Sequence, residues 1–180
     1  MPSRVLVAIR VAATPERAFR VFTEDIGAWW RPNRLFPLGG NPPGTLAFEP
    51  GPSGRLIERR PDGEYEVGRV LHWAPPGELA FGWRPASFDA HQTTEVRVRF
   101  EAVGDETRVT VEHQGWDSIP QQHATRHGFP LPDFLQREAE WWQQLLARYN
   151  VWCGAHAPSH AGGRGSARVA GDVQTSDVEA

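Results

Sequence analysis

The chain has 180 residues, a formal net charge of −3 and a single cysteine, Cys153. One cysteine excludes an internal disulfide, and the near-neutral charge argues against a nucleic-acid partner, which normally requires a strongly basic surface. No run of about 18 apolar residues occurs, so we expect neither a transmembrane helix nor a membrane partner. Because the N-terminus alternates apolar and polar residues, it is typical of a strand and not of a signal peptide, and we expect a cytoplasmic protein.

The chain is rich in tryptophan. Rings of this size and amphipathic character are expected to be buried or to line a cavity for a ligand. The eight tryptophans are Trp29, Trp30, Trp73, Trp83, Trp116, Trp141, Trp142 and Trp152.

The first predicted elements are a strand and a short helical segment. Residues 4–11 alternate apolar and polar with period two, which predicts a strand with one apolar face. The next segment places Thr14 at a favoured N-cap position and Pro15 at the first helical position. Apolar residues at helical spacing then predict a short amphipathic helix that runs on irregularly to about residue 30.

Six further strands are predicted at hairpin spacing, because Gly, Pro or Asp occurs wherever the chain must turn back. In the fifth of them, Val96, Val98 and Phe100 share one face, and charged residues occupy the other. One face of the sheet is therefore expected to be buried and the other solvated, as in antiparallel sheets. The predicted strands span residues 46–50, 54–60, 64–73, 78–84, 93–102 and 107–114.

The strongest helical pattern of the chain lies near its C-terminus. Apolar residues recur at spacings of three, four and seven over residues 131–152, which predicts a long amphipathic helix. Beyond it the composition becomes rich in Gly, Ala and Ser, with almost no large apolar residues. We therefore expect one folded domain of residues 1–153 and a disordered C-terminal tail of residues 154–180.

The order of these elements predicts an α+β helix-grip fold. A curved antiparallel sheet of about seven strands would wrap around the long C-terminal helix, with two short helices after the first strand. A strongly curved sheet that grips a helix can enclose an apolar cavity, which a flat sheet cannot. The sequence thus favours a ligand-binding interior.

Four segments strengthen this prediction. The segment VAATPERAFRVFTEDIGAWW resembles the opening of the START-like (SRPBCC) superfamily, and within it the group named for activators of the heat-shock-protein-90 ATPase. Residues 65–83 (YEVGRVLHWAPPGELAFGW), residues 107–116 (TRVTVEHQGW) and the pair Trp141–Trp142 are similar to the same group. The resemblance covers residues 4–152. It implies binding of apolar small molecules, cyclase or dehydratase chemistry on polyketides, or stimulation of a chaperone, without an invariant catalytic set.

Residues that face the cavity can be assigned from period two on the strands and from the apolar face of the helices. A register error of one residue would reverse each strand assignment. The predicted ligand-binding residues are Trp29, Trp30, Phe48, Val70, His72, Phe81, Trp83, Val111, His113, Trp142 and Leu145.

Two polar residues are candidates for catalysis. His113 ends an apolar strand and is either a general base facing the cavity or a core histidine with a satisfied hydrogen bond. His72, on a neighbouring register, is a candidate partner for it. Glu138 interrupts the apolar stripe of the long helix, so it is either a buried carboxylate with acid–base potential or a residue at the stripe's edge that reaches solvent.

No metal, cofactor or nucleophile site is predicted. His123 and His127 are four residues apart, as two ligands on a helix face would be, but prolines flank the segment and no cysteine is near. Ser53 and Ser118 lack a nucleophile-elbow context, and Cys153 stands at the end of a helix without an evident cationic partner.

Three functions remain open from the sequence. The first is a carrier or sensor that binds an apolar or aromatic small molecule. The second is an enzyme of the cyclase or dehydratase kind, with His113 or Glu138 as base. The third is an interaction protein that stimulates a chaperone ATPase, for which Arg31 and Arg34 are the rim residues to test. A homodimer through exposed tryptophans at positions 29, 30 or 141 is also left open.

Overall fold

Seven strands and three α-helices follow the predicted order in the computed structural model, which describes residues 3–40 and 42–155. The helices are α1 (Pro15–Glu24), α2 (Ile26–Trp29) and α3 (Leu131–Ala155). Short 3-10 turns at Trp116–Ser118 and Ala124–Arg126 lead into α3. The strands are β1 (Arg4–Val11), β2 (Thr45–Phe48), β3 (Arg55–Arg60), β4 (Gly63–Ala74), β5 (Glu78–Trp83), β6 (Thr94–Val103) and β7 (Glu106–Gln114).

The strands form one curled antiparallel sheet in the order β1-β7-β6-β5-β4-β3-β2. Hairpins join each pair from β2 to β7, and β1 closes the far edge by pairing with β7. The long helix α3 packs across this sheet, mainly against β1. The predicted α+β helix-grip fold is therefore confirmed.

The boundaries of the helices agree with the sequence analysis in part. Thr14 caps α1 as predicted, since its hydroxyl accepts a hydrogen bond from the backbone N–H of Arg17. Gly154 and Ala155 belong to the last turn of α3, so this helix continues past the predicted boundary at residue 153. The remainder of the predicted tail, residues 156–180, lies outside the described residues. No helix among the described residues has the length and apolarity to span a bilayer.

Period two describes β6 correctly but fails in β4. Val96 and Val98 of β6 are completely buried, while Arg97 and Arg99 are partly or fully exposed on the opposite face. In β4 the pairing with β5 shifts between Val70 and His72, because a bulge inserts one extra residue.

This bulge corrects one predicted site residue. Val70 is buried, but Leu71 is 58% exposed and His72 is exposed as well, while Trp73 turns back toward the core. The prediction that His72 shares the inner face with Val70 is therefore wrong. His72 is also excluded as a partner of His113, which is fully buried.

Strands β4 and β5 approach each other closely at two glycines, Gly68 and Gly82. A Cβ atom placed on Gly68 of β4 would lie 1.7 Å from the carbonyl oxygen of Gly82 on β5. The atoms that this Cβ would meet belong to the backbone of Gly82, so the clash cannot be relieved by rotating a side chain. Glycine within a strand commonly marks such an approach.

We expect Gly68→Ala to lower the free energy of unfolding by at least about 2 kcal/mol, because overpacking against backbone forces two strands apart. The measurement is urea denaturation followed by tryptophan fluorescence. The control is Gly154→Ala, whose added methyl meets no atom within 4 Å. That variant should be neutral or slightly stabilised, and equal stability of the two variants would contradict the glycine contact.

Candidate functional site

Four tryptophans fill the centre of the space between α3 and the sheet. The ring of Trp30 lies 5.2 Å from that of Trp83, 5.2 Å from Trp141 and 5.6 Å from Trp142, measured between centroids. Such edge and tilted contacts stabilise an aromatic cluster beyond the area that it buries. Trp29, Trp30 and Trp141 are buried in the monomer. The expectation that tryptophans at these positions are exposed for a homodimer is therefore wrong.

A polar network crosses this cluster. The hydroxyl of Thr94 donates to the carbonyl of Trp83 at 2.9 Å, so it accepts the hydrogen bond from Nε2 of His113 at 2.9 Å. Nδ1 of His113 then carries the lone pair that accepts the Nε1–H of Trp142 at 3.2 Å. These contacts assign the Nε2–H tautomer to His113 and join α3 to β7.

Glu138 approaches the same histidine. Its Oε1 lies 3.1 Å from Nδ1 of His113, and both side chains are completely buried. The alternative in which Glu138 reaches solvent is therefore wrong. The contact is close but not aligned as a hydrogen bond, and neither carboxyl oxygen of Glu138 has a hydrogen-bond partner. A buried polar group without a partner is destabilising and calls for an explanation.

The predicted ligand-binding residues are distributed over the core and three surface depressions. Most of them are buried in the core. Trp30 reaches one depression, Phe48 a second and Leu145 a third. The residues that are at most 5% exposed are Trp29, Val70, Phe81, Trp83, Val111, His113, Trp142 and Leu145.

The first groove, which we call the tryptophan groove, has a volume of about 650 Å³. Trp30, Phe36, Leu38 and Leu46 form its apolar walls, and loop residues from the ranges 32–40 and 43–44 border it. Because Trp30 also belongs to the tryptophan cluster, the floor of the groove is the outer surface of the aromatic core. Phe36 extends this floor, since its ring stacks on Trp141 at 5.0 Å with an interplanar angle of 26°.

Glu58 holds the loop that borders the tryptophan groove. This residue is 2% exposed. Its carboxylate accepts hydrogen bonds from the backbone N–H of Gly39 at 2.8 Å and from that of Gly44 at 2.7 Å. Arg60 donates to the carbonyl of Gly39 at 2.7 Å, and the N–H of Ala86 donates to Leu38 at 2.7 Å. The sequence analysis missed Glu58. The only feature of the sequence that could have indicated its role is an acidic residue beside Ile57 in a strand that follows a glycine-rich loop.

The second groove, which we call the edge groove, has a volume of about 510 Å³. It lies between α1 and the ends of β2 and β4, and Phe19, Phe48 and Trp73 form its apolar floor. Glu16 and Arg20 are among the charged residues at its rim. This groove receives Phe48, but it is separate from the tryptophan cluster.

His123 and His127 form hydrogen bonds within the fold, and Cys153 is buried. His123 accepts the N–H of Thr125 on Nδ1, and its Nε2 lies 3.0 Å from the carbonyl of Ser87. His127 contacts the carbonyl of Leu35 at 2.5 Å through Nε2. No group of three metal-ligating side chains occurs within residues 3–40 and 42–155. Cys153 is fully buried, and burial raises the pKa of its thiol, which disfavours the nucleophilic thiolate.

A curled antiparallel sheet that grips one long helix over an aromatic core defines a START-like helix-grip protein. The family model described as "Activator of Hsp90 ATPase homolog 1-like protein" matches residues 12–149, and the chain belongs to this family. The recognition made from the sequence is therefore confirmed. No curated protein matches the chain.

Solved structures share the fold over most of their length. CalC from Micromonospora echinospora, described as a self-sacrificing resistance protein, is 26% identical with a TM-score of 0.58, over 86% of this chain and 96% of that one. Txn09, an anthrahydroquino-gamma-pyrone synthase complexed with SUM, is 30% identical with a TM-score of 0.50, over 84% and 96%. An HSP90 activator from Plasmodium falciparum is 18% identical with a TM-score of 0.57, over 84% and 96%, which shows the fold alone.

We expect Glu138→Met to raise the free energy of unfolding by about 1–3 kcal/mol, because it replaces a buried carboxyl group that has no hydrogen-bond partner by an apolar chain of similar length. The measurement is the denaturation midpoint in urea at pH 7. The control is Glu140→Met, an exposed position on the same helix, which should change stability by less than about 0.5 kcal/mol. A clear loss of stability in Glu138→Met would instead make the carboxyl a structural partner of His113.

Proposed function

We propose that this protein binds an apolar, aromatic small molecule in the tryptophan groove. The observation that carries this proposal is a groove of about 650 Å³ that is lined by Trp30, a ring of the buried aromatic core. Ligand sites for small molecules typically have volumes of roughly 300–1,000 Å³ and mostly apolar walls. Tryptophan rings occupy the central region between sheet and helix, so we assign the ligand to the surface groove.

The groove offers shape and apolar surface in one place. Trp30 and Phe36 supply ring faces, while Leu38 and Leu46 supply aliphatic contact on the remaining sides. Because Glu58 ties the bordering loop through two hydrogen bonds, part of the entropy of ordering that loop is already spent before a ligand arrives. Micromolar affinity, about −8 kcal/mol, is within reach of a few buried rings.

Two relatives support a small-molecule role. CalC is described as a resistance protein, and Txn09 as a synthase complexed with a ligand. The name of Txn09 refers to a fused aromatic ring compound, and its identity of 30% supports an aromatic ligand for this chain without deciding between a carrier and an enzyme. We favour a carrier or sensor, because His113 and Glu138 are completely buried and neither of them lines the groove.

The second candidate function is acid–base catalysis by His113 and Glu138. The distance of 3.1 Å between them and the absence of hydrogen bonds to either Glu138 oxygen favour it. A substrate would have to displace Trp30 or Trp142 to reach this pair. Mass spectrometry of a ligand after incubation separates the two functions, because a carrier returns it unchanged and a cyclase or dehydratase alters its mass or its chromatographic retention.

Chaperone stimulation is the third candidate, and it is the least supported by the geometry. Arg34 lines the tryptophan groove, and Arg31 lines an adjoining surface depression together with Arg34. An assay of chaperone ATPase activity with the wild type and with Arg31→Gln/Arg34→Gln tests it directly. Equal stimulation by both would remove these residues from the role, and no stimulation would remove the function itself.

The first experiment on the proposal is native mass spectrometry of gently purified protein, followed by denaturing release of any bound compound. A discrete excess mass would identify a ligand without prior assumptions about its class. The neutral probe naphthalene-2-carboxamide, titrated by calorimetry into protein freed of such compounds, then measures binding to the groove.

We expect Leu38→Trp to weaken binding of this probe by at least about tenfold, because the larger side chain fills the groove and removes roughly 100 Å² of apolar contact. The matched control is Leu71→Trp, at a residue that is 58% exposed on the outer face of the sheet. This control should bind as the wild type does. If both variants bind equally well, the tryptophan groove is not the site.

A further inference from the structure

A third depression adjoins the tryptophan groove, and we call it the arginine notch. It has a volume of about 440 Å³. Arg31 and Arg34 reach it from the loop after α2, and α3 contributes Trp141, Gln144, Leu145 and Arg148. The α3 residues are spaced by three, four and seven, so they share one face of the helix. Three guanidinium groups thus surround one depression that has Trp141 in its wall and no acidic residue in its lining.

The notch and the groove are continuous. Pro32, Asn33 and Arg34 line both of them. Trp141 in the notch stacks on Phe36 in the groove. A ligand whose ring system lies on Trp30 and Phe36 can therefore place a substituent among the arginines without leaving the surface.

These arginines differ from most arginines of the sheet, which form ion pairs. Arg55 pairs with Glu49 at 2.5 Å, Arg97 pairs with Glu78, and Arg99 lies 3.6 Å from Glu112. Within the described part of the chain, Arg31, Arg34 and Arg148 form no ion pair. Arg31 donates one hydrogen bond, to the carbonyl of Trp30 at 3.2 Å. Donors of this kind remain available to an incoming anion in a protein whose net charge is −3.

We infer that the ligand of the tryptophan groove is amphiphilic: an apolar ring system that carries an oxyanion, which the arginine notch holds. The inference rests on the proposed function of the groove and names its ligand class. A carboxylate is the best match, because a planar guanidinium binds it through two parallel hydrogen bonds. The anion selects among ring compounds, and the aromatic floor supplies most of the apolar contact.

The test compares two probes of the same shape, naphthalene-2-carboxylate and naphthalene-2-carboxamide, by calorimetry at low ionic strength. The wild type should bind the carboxylate about tenfold more tightly than the amide, since charge-assisted hydrogen bonds are stronger than neutral ones. Arg31→Gln/Arg148→Gln, at residues that line the notch and not the groove, should reduce this preference to about twofold or less and leave the affinity for the amide unchanged. Added salt should weaken binding of the carboxylate alone.

The control variant is Arg108→Gln, which removes one positive charge from an exposed position on β7 outside the notch. It should keep the full preference for the carboxylate. Equal binding of the two probes by the wild type would overturn the anion site and leave the groove intact. A preference that survives in the double variant would overturn its assignment to these arginines, and failure of both probes to bind would overturn the proposed function itself.

Discussion

The hydrogen bond from Trp142 to His113 sets the position of the long helix over the sheet. It joins the middle of α3 to the end of β7, and Thr94 fixes the other nitrogen of the same imidazole. With the helix held there, Trp83 and Trp30 pack against Trp142. Rings occupy the space between this helix and the sheet, which is why the proposed ligand site lies where Trp30 borders a surface groove.

Trp30 connects that cluster to the tryptophan groove, so events at the surface and in the core are linked through one side chain. A ligand in the groove would contact a ring that packs against Trp83 and Trp142, and Trp142 in turn contacts His113 beside Glu138. The carboxyl group of Glu138, which has no hydrogen-bond partner, is the last group in this series of contacts. The proposed ligand groove and the buried pair of His113 and Glu138 are thus connected through one set of aromatic contacts.

Much of the fold could be predicted from the sequence because turn residues and apolar periodicity act locally. The strands, the cap at Thr14 and the long helix follow from such signals. The bulge that turns His72 outward could not be predicted, since it depends on how β4 pairs with a strand that curls around it. The role of Glu58 was missed for a similar reason: its partners are backbone amides of a distant loop. The residues that line a groove could not be predicted either. Whether open space remains beside a residue depends on how all neighbouring side chains fill the available volume, and sequence periodicity carries no information about that.

The most direct test of the account is a map of where a ring compound binds. Two-dimensional ¹H–¹⁵N spectra, recorded during titration with naphthalene-2-carboxylate, report on each backbone amide and each tryptophan indole. The account predicts that the Trp30 indole and the amides of Leu38 and Leu46 shift together and saturate at one equivalent. Shifts confined to Phe48 and Trp73 would place the ligand in the edge groove and contradict it, as would the absence of any saturable shift.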